Sequence, residues 1–395
     1  MTVIAQDTIR EQAAQRFAQL GWPSTKLEEW KYTNVAPIAR IDWRTASAAE
    51  TAAATRVGAP ALGGASRELV FINGRGPTSA TSHPLFAKFA DYMRHPFVAL
   101  NTARAQDGAL IVIPDGEVVE GFIHLHFIGE GDGVWSHPRN LIVAGRNAQV
   151  TVVETYSGRG NYFTNAVTEI VAGDGAVVDH TRLQCESAEA FHVSTVQVHQ
   201  ERASSVTART IAFGSALARL ETNVALKGEG ASLTLDGLFV LAGRQHVDNQ
   251  TLIDHARPHC DSMELYKGIL DESARGIFDG RIIVRPDAVK TNSRQVNHNL
   301  LLSETAIIDS KPTLEIHNDD VKCNHGSTIG QLDENAMFYL RARGIGEGEA
   351  RNLLVYAFAS QIVDRIKTDP VREQVRRAMF AHMPDRLPER RESAR

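Results

Sequence analysis

Apolar and polar positions alternate with a period of two through the middle of this chain, and with a helical period at both ends. Gln149 to Tyr156, Ala176 to Leu183, Ser205 to Phe213, Ser232 to Val240 and Gly276 to Val284 are short runs rich in β-branched and apolar residues. That is the pattern of strands. No long helical pattern interrupts them between about 109 and 332. Four strand starts share one form, small residues followed by an apolar one: Asn147-Ala148-Gln149-Val150, Gly175-Ala176-Val177-Val178, Ala203-Ser204-Ser205-Val206 and Gly230-Ala231-Ser232-Leu233. They lie 28, 28 and 27 residues apart. Equal spacing means equal coils, and stacked coils bury an apolar interior that no single coil can bury. The pattern predicts a parallel β-helix of about 28 residues per coil. A β-sandwich with evenly spaced hairpins is the competing arrangement. No six-residue apolar repeat appears, which argues against the hexapeptide class.

The ends read differently. Thr8 and Glu11 have the spacing of a capping box, and Ile9, Ala13, Phe17 and Leu20 follow at helical intervals. Gly21 stands where a C-terminal cap belongs. Residues 45–66 are rich in Ala, Thr, Ser and Gly and read as a flexible connection. Glu68 to Ile72 is a short strand running into the Asn73-Gly74 turn, and 84–105 read as helix. Beyond the repeats, Asp333 caps a helix that runs to Arg343 and closes at Gly344. A second helix starts near Glu347, with Leu354, Phe358, Ile362 and Ile366 four apart, and Pro370 ends it. A third, Val371 to Phe380, is basic and amphipathic. The expectation is a mainly β protein: a mostly helical region over 1–108, a parallel β-helix over 109–332, and a helical region over 333–395 whose tail after 384 is disordered.

Composition sharpens this. Aromatic residues are 7% of the 395, thin payload for a helical bundle and ample for a β-rich chain of small residues. The formal net charge of -5 argues against a bulk electrostatic grip on nucleic acid. Cys185, Cys260 and Cys323 are odd in number and far apart, which suits reduced thiols rather than a disulfide framework. No signal-peptide pattern is read between Met1 and Glu11, and the apolar run Leu353 to Ala359 is far short of a membrane span. A cytoplasmic protein is expected.

The candidate chemistry is sparse. G-x-x-x-x-G-K-[ST], G-x-S-x-G and H-E-x-x-H are all absent from the sequence. Gly344-Ile345-Gly346-Glu347-Gly348 lies between two helices and reads as a turn, not a phosphate loop. Any ATP used must bind another chain. The most suggestive segment is Asp319-Asp320-Val321-Lys322-Cys323-Asn324-His325-Gly326. In a strand, Cys323 and His325 share one face about 6.6 Å apart. A soft and a borderline ligand so placed suit iron, zinc or the edge of an iron–sulfur cluster, and Lys322 is expected to lower the thiol pKa. A buried thiol beside a hydrogen-bonded imidazole would give the same sequence. His259-Cys260 can serve one site only at a bend, which Pro258 makes plausible; an inert core thiol is the alternative. Cys185 near His180, and His124 with His126, fit ordinary strand alternation. A cluster usually takes four protein ligands, and Cys260 and Cys323 lie more than two coils apart, about 10 Å along the axis. One chain therefore supplies part of a site, to be completed at a subunit interface.

Several segments resemble the shared core of the SufB/SufD family of iron–sulfur cluster assembly scaffolds. They include Glu264-Leu265-Tyr266-Lys267-Gly268-Ile269-Leu270, Asn299-Leu300-Leu301-Leu302, Ile308-Asp309-Ser310-Lys311-Pro312-Thr313-Leu314-Glu315-Ile316 and the stretch from Asp319 to Gly330. Phe338-Tyr339-Leu340-Arg341-Ala342-Arg343-Gly344-Ile345 and Ala357-Phe358-Ala359 continue the likeness. Glu29-Trp30-Lys31-Tyr32-Thr33 and the helical N-terminal region resemble the SufD branch, with a SufB-like paralogue carrying the nascent cluster as the alternative. The resemblance implies a right-handed parallel β-helix flanked by helices, and a scaffold that is no enzyme itself. It implies pairing with SufB through the β-helix and binding of the ATPase SufC through the C-terminal helices, with self-pairing possible in isolation. It maps the family's interface Cys and His onto Cys323 and His325, and Cys260 onto a family cysteine of unassigned role. Iron, or a transient cluster shared with SufB, is then the cargo, with no cofactor held tightly by this chain alone. A metal-free scaffold of the same fold is a further alternative. A β-helix polysaccharide lyase would need carboxylates paired with Arg or Lys along an exposed groove, and it leaves the terminal helices without a purpose.

Overall fold

The computed structural model describes residues 3–54 and 62–382. The N-terminal part holds α1 (Val3–Leu20), α2 (Ala36–Ala39), β1 (Arg44–Thr45), α3 (Ala48–Ala53), β2 (Arg67–Ile72) and α4 (Pro96–Arg104). A continuous series of strands follows: β3 (Leu110–Ile113), β4 (Ile123–Glu130), β5 (Val134–Ser136), β6 (Arg139–Ala144), β7 (Gln149–Arg159), β8 (Tyr162–Ala172), β9 (Val177–Cys185) and β10 (Phe191–Gln200). It continues with β11 (Ser205–Ala212), β12 (Leu217–Leu226), β13 (Ser232–Leu241), β14 (His246–His255), β15 (Asp261–Leu270), β16 (Arg275–Val284), β17 (Asn292–Leu301), β18 (Ile307–Ile316) and β19 (Lys322–Gly330). Three helices close the described chain: α5 (Glu334–Ala342), α6 (Glu347–Val363) and α7 (Asp369–His382).

The strands form a parallel β-solenoid of about eight turns. Each coil gives one strand to each of two sheets. One sheet runs β2-β4-β7-β9-β11-β13-β15-β17-β19; the other runs β1-β5-β8-β10-β12-β14-β16-β18, with β3 and β6 joined at β8. The 28-residue spacing has a backbone cause. Asn147, Gly175, Ala203, Gly230, His259 and Lys290 each precede a strand of the first sheet by two residues, and each has φ between 55° and 69°. This left-handed corner turns the chain into the next strand. The N–H of each corner residue donates to a carbonyl of the next coil's corner, at 2.7–3.1 Å. The following residue points inward where the coil is narrowest, so it is small: Ala148, Ala176, Ser204, Ala231, Cys260 and Thr291, all at most 1% exposed.

The interior is apolar near these corners, where Val150, Val178, Val206, Leu233, Ile253 and Ile282 stack. Further along the strands it turns polar. Glu154 accepts from Tyr156 and Thr168 at 2.8 Å and lies 3.1 Å from His180 Nε2, while Arg182 donates to Ser194 at 2.8 Å and to Thr210 at 3.1 Å. Buried polar groups are tolerable when partnered, and here the partners come from the same coil (Tyr156, Thr168, Ser194) and from the next one (His180, Thr210).

Helices cover both outer faces. On one sheet Trp30, Ile38, Trp43 and Phe97 pack against Phe163, Phe191 and Leu217. Arg219 pins the segment 29–33: its guanidinium lies 3.9 Å over the Trp30 ring and donates to the Glu29 carbonyl at 2.8 Å. On the other sheet Val355, Ile362, Val371 and Met379 of α6 and α7 pack against Leu183, Ile211, Leu238 and Leu265.

Several expectations need correcting. α1 begins at Val3, so Thr8 lies inside the helix and caps nothing. Gly21 does end it, at φ 66°. The connection expected over 45–66 contains α3, nucleated by a true capping box between Ser47 and Glu50; 55–61 lie outside the described residues, as does the tail after 384. Of the helix expected over 84–105 only Pro96–Arg104 forms. Pro370 does not end the second helix, which stops at Val363; it sits in the first turn of α7, where its missing N–H costs nothing. β2, the short strand expected within the mostly helical region over 1–108, pairs with β4 and begins the first sheet.

Candidate functional site

β18 and β19 end the two sheets, and among the described residues neither has a further strand beyond it. Residues 307–330 are exposed or half-buried throughout, with Ile307, Ile316 and Ile329 at 52%, 43% and 54% exposure. Cys323 and His325 sit on β19 at positions of the same parity, so both are on its interior face. Cys323 is half-buried and packs against the last apolar residues of the interior, beside Leu314 and Val321. His325, two residues on, is exposed at the open rim. Burial raises the Cys323 thiol above its ordinary pKa. Lys322 does not offset this, contrary to expectation: adjacent strand residues point to opposite faces, and Lys322 is exposed on the outer side.

Each candidate stands on a built rung. Cys323 pairs in register with Ser293, which pairs with Ser262. Below it the Ser293 and Ser262 hydroxyls bond at 2.7 Å, and His255 Nε2 lies 2.9 Å from Ser262. Burial pushes the His255 ring down to about 4, so it is neutral at physiological pH. His325 pairs with Gln295, which pairs with Glu264. Gln295 Nε2 donates to Glu264 Oε2 at 2.6 Å. Burial pushes the Glu264 carboxyl up to about 7. At the rim, Ser310 of β18 and Ser327 of β19 bond across the two sheets at 2.8 Å.

The other candidates do not join them. His259 is the left-handed corner residue and is 57% exposed, facing Glu229 at 3.9 Å. Cys260 beside it is sealed inside, donating to the Gly228 carbonyl at 3.3 Å. The bend after Pro258 therefore separates the two side chains. Cys260 occupies the rung that other coils fill with Ala148, Ala176 and Ala231, which is reason enough for a small apolar residue there. His180 faces the interior toward Glu154, whereas Cys185 packs outward beneath the C-terminal helices, its thiol pushed up to about 12 by burial. His124 and His126 are buried with rings 5.3 Å apart, next to Thr155 and Ser157 at 2.8 and 3.1 Å. Among the described residues no three His, Cys, Asp or Glu side chains converge as a metal site. This chain places one thiol and one imidazole at an edge, and no closed donor set forms among the described residues.

A second exposed surface lies beside that edge. α5 has no buried residue, and its Phe338 and Tyr339 are 75% and 55% exposed. α5 packs on α6, which is anchored to the solenoid: Lys267 Nζ donates to the Phe358 carbonyl at 2.8 Å, and Arg365 pairs with Asp236 at 2.8 Å. Asp333 caps α5 by accepting from the N–H groups of Asn335 and Ala336. The sequence reading missed Gln295 and Glu264 beneath His325. The signal was there, since inward positions repeat at about 30 residues and 264, 295 and 325 are 31 and 30 apart.

A parallel β-solenoid with a Cys-x-His pair on its last strand defines a scaffold-like class with an unfinished edge. Comparison with known families settles which. Residues 127–358 match the SufBD core domain of the SUF iron–sulfur cluster assembly system, and residues 3–56 match the SufBD N-terminal region. The chain is 33% identical to an iron–sulfur cluster assembly SufBD family protein of Synechocystis, over 94% of this chain and 89% of that protein. It is 28% identical to the iron–sulfur cluster assembly protein SufD of Escherichia coli, over 96% of this chain and 92% of SufD. A chloroplastic Arabidopsis thaliana protein, ABCI7, is 33% identical over 71% of this chain and 61% of its own length. The chain belongs to the SufBD family of iron–sulfur cluster assembly proteins, and is of the SufD type. Among the described residues no helix is long and apolar enough to cross a membrane.

Proposed function

We propose that this chain is a non-catalytic scaffold subunit of the SUF system that works in the cytoplasm. It pairs with a SufB-type sister polypeptide through the open edge of β18 and β19, and offers α5 and α6 to the ATPase SufC. Iron, or the nascent cluster, is the cargo, held between the two sister chains. The observation that carries this reading is the position of Cys323 and His325: one face of β19, with no strand beyond it among the described residues. An unpaired edge with exposed isoleucines is a surface that awaits a partner. Thiolate and imidazole are a donor set that suits iron. The exposed Phe338 and Tyr339 support docking at α5.

The chemistry asked of this chain is modest. Cys323 must lose its proton to bind metal, and its raised pKa means that the metal must drive that loss. Capture is therefore proton-releasing. His325 binds as the neutral ring. ATP-driven movement of SufC, transmitted through α6 and its Lys267 and Arg365 anchors, would open and close the shared edge.

Co-expression with SufB and SufC homologues tests the assembly: the three copurify, and failure to do so counts against the whole reading. Anaerobic reconstitution tests the site. His325→Ala should leave the complex intact while iron-dependent absorbance falls. Normal iron loading in that variant removes His325 from the site, and a stable wild-type complex that takes up no iron leaves a metal-free scaffold.

A further inference from the structure

At the far end of the solenoid from β19, the N-terminal helices and the first coils enclose a cleft of about 240 Å³. It lies between α1, the end of α4, the end of β5 and the tight turn after β2. Among the described residues its lining includes two arginines, Arg10 and Arg104, and no carboxylate. Neither arginine has an ion pair or a hydrogen bond among the described residues. Arg10 is half-buried and Arg104 exposed, whereas the buried Arg139 nearby meets Glu169 at 2.9 Å.

The cleft is built, not merely open. Arg104 lies 4.4 Å over the Trp135 ring, which holds the guanidinium in place and leaves its N–H donors unused. His137, 7% exposed, lines the same cleft. Asn165 Nδ2 donates to its Nδ1 at 3.3 Å, so the ring proton sits on Nε2, and that buried N–H has no partner. Burial and the Arg104 charge push the ring down to about 3, so it remains a neutral donor across the physiological range. The turn after β2 closes one side. Gly74, at φ 77°, lies so near that a Cβ there would come 3.0 Å from Ser136 Cβ.

Two guanidinium groups and a neutral imidazole N–H lining one cleft select an oxyanion. Two positive charges without a carboxylate suit a dianion better than a single carboxylate. The volume is below the roughly 300–1,000 Å³ of sites for larger ligands, so a whole nucleotide does not fit. We propose that this cleft binds a phosphate group, either free or as the head of a small phosphate monoester.

Calorimetric titration of the full chain with inorganic phosphate at low ionic strength tests it, with the four tryptophans as a second readout. Saturable binding is expected, with a fluorescence change that Trp135→Phe abolishes, because phosphate draws Arg104 from the ring. Arg10→Gln and Arg104→Gln should each weaken binding about tenfold or more, while Arg146→Gln, on a surface pair with Asp115 at 2.8 Å, leaves it unchanged. Far-UV dichroism and thermal melts confirm that the variants fold. Glycerol phosphate binding more tightly than inorganic phosphate assigns the site to a monoester; the reverse assigns it to the free ion. No saturation by about 10 mM phosphate, equal binding in both arginine variants, or succinate binding as tightly as phosphate each overturns the proposal.

Discussion

Glu264→Gln is the sharpest probe of the interior beneath the site. Glu264 is fully buried and accepts from Gln295 at 2.6 Å, and Thr251 and Gln295 only partly offset the cost of burying its charge. Burial raises its carboxyl from 4.5 to about 7. A raised carboxyl holds its proton more tightly when folded than when unfolded. The stability it contributes is therefore complete below about pH 4.5 and is lost as pH rises through about 7. A tenfold difference in proton affinity between the folded and unfolded chain corresponds to about 1.4 kcal/mol, so the full loss is roughly 3 kcal/mol, most of it between pH 5 and pH 8. Glutamine keeps the shape and the acceptor and cannot ionise. The assay is urea unfolding of the full chain at pH 5 and pH 8, comparing midpoints at constant slope. Relative to wild type, the variant should gain about 2–3 kcal/mol between the two pH values. A stability gap that does not change with pH would refute the reasoning, because the carboxyl would then titrate normally. A variant less stable at pH 8 would show that the ionised form has an unrecognised stabilising partner.

Three further expectations concern the coil itself. Ala203 holds a corner at φ 55°, so Ala203→Gly should raise the unfolding free energy by about 0.5–1 kcal/mol, read from denaturant midpoints, despite the added freedom of the unfolded chain. Cys260→Ala should cost about 1 kcal/mol or less, since alanine fills the same rung in other coils, and iron uptake by the reconstituted complex should not change. At Gly237 an added Cβ would lie 2.1 Å from the Tyr266 ring, so Gly237→Ala should destabilise by about 2–3 kcal/mol in the same unfolding assay.

The repeat was legible because one backbone event recurs. A left-handed corner favours Gly or Asn, the narrow turn after it demands a small side chain, and the strand that follows is apolar; Asn147-Ala148, Gly175-Ala176 and Gly230-Ala231 display all three. The caps at Asp333, Gly344 and Gly21 were legible for a similar reason, being local chemistry. What the sequence concealed was non-local. The inward positions of Glu154, His180, Arg182 and Glu264 break the apolar pattern, and most of their partners lie across the coil or on the next one. The place of β2 in the first sheet was hidden because the strand it pairs with, β4, begins more than 50 residues later. Thr8 and Glu11 imitate a cap inside a helix that starts earlier. For the site, Cys323 and His325 were visible as a pair, but only the topology puts them on the last strand. The ionic effect expected of Lys322 failed for the reason that makes the pair work: neighbours on a strand face apart.

The central claim is that β19 is an interface strand whose exposed edge a sister chain completes. Hydrogen–deuterium exchange of the amides of Lys322–Gly330, measured for the chain alone and in the purified complex with a SufB homologue, tests it most directly. The account predicts fast exchange of the edge-facing amides alone and strong protection in the complex, with β11 and β13 unchanged. A stable complex that leaves β19 exchanging as fast as before would contradict it.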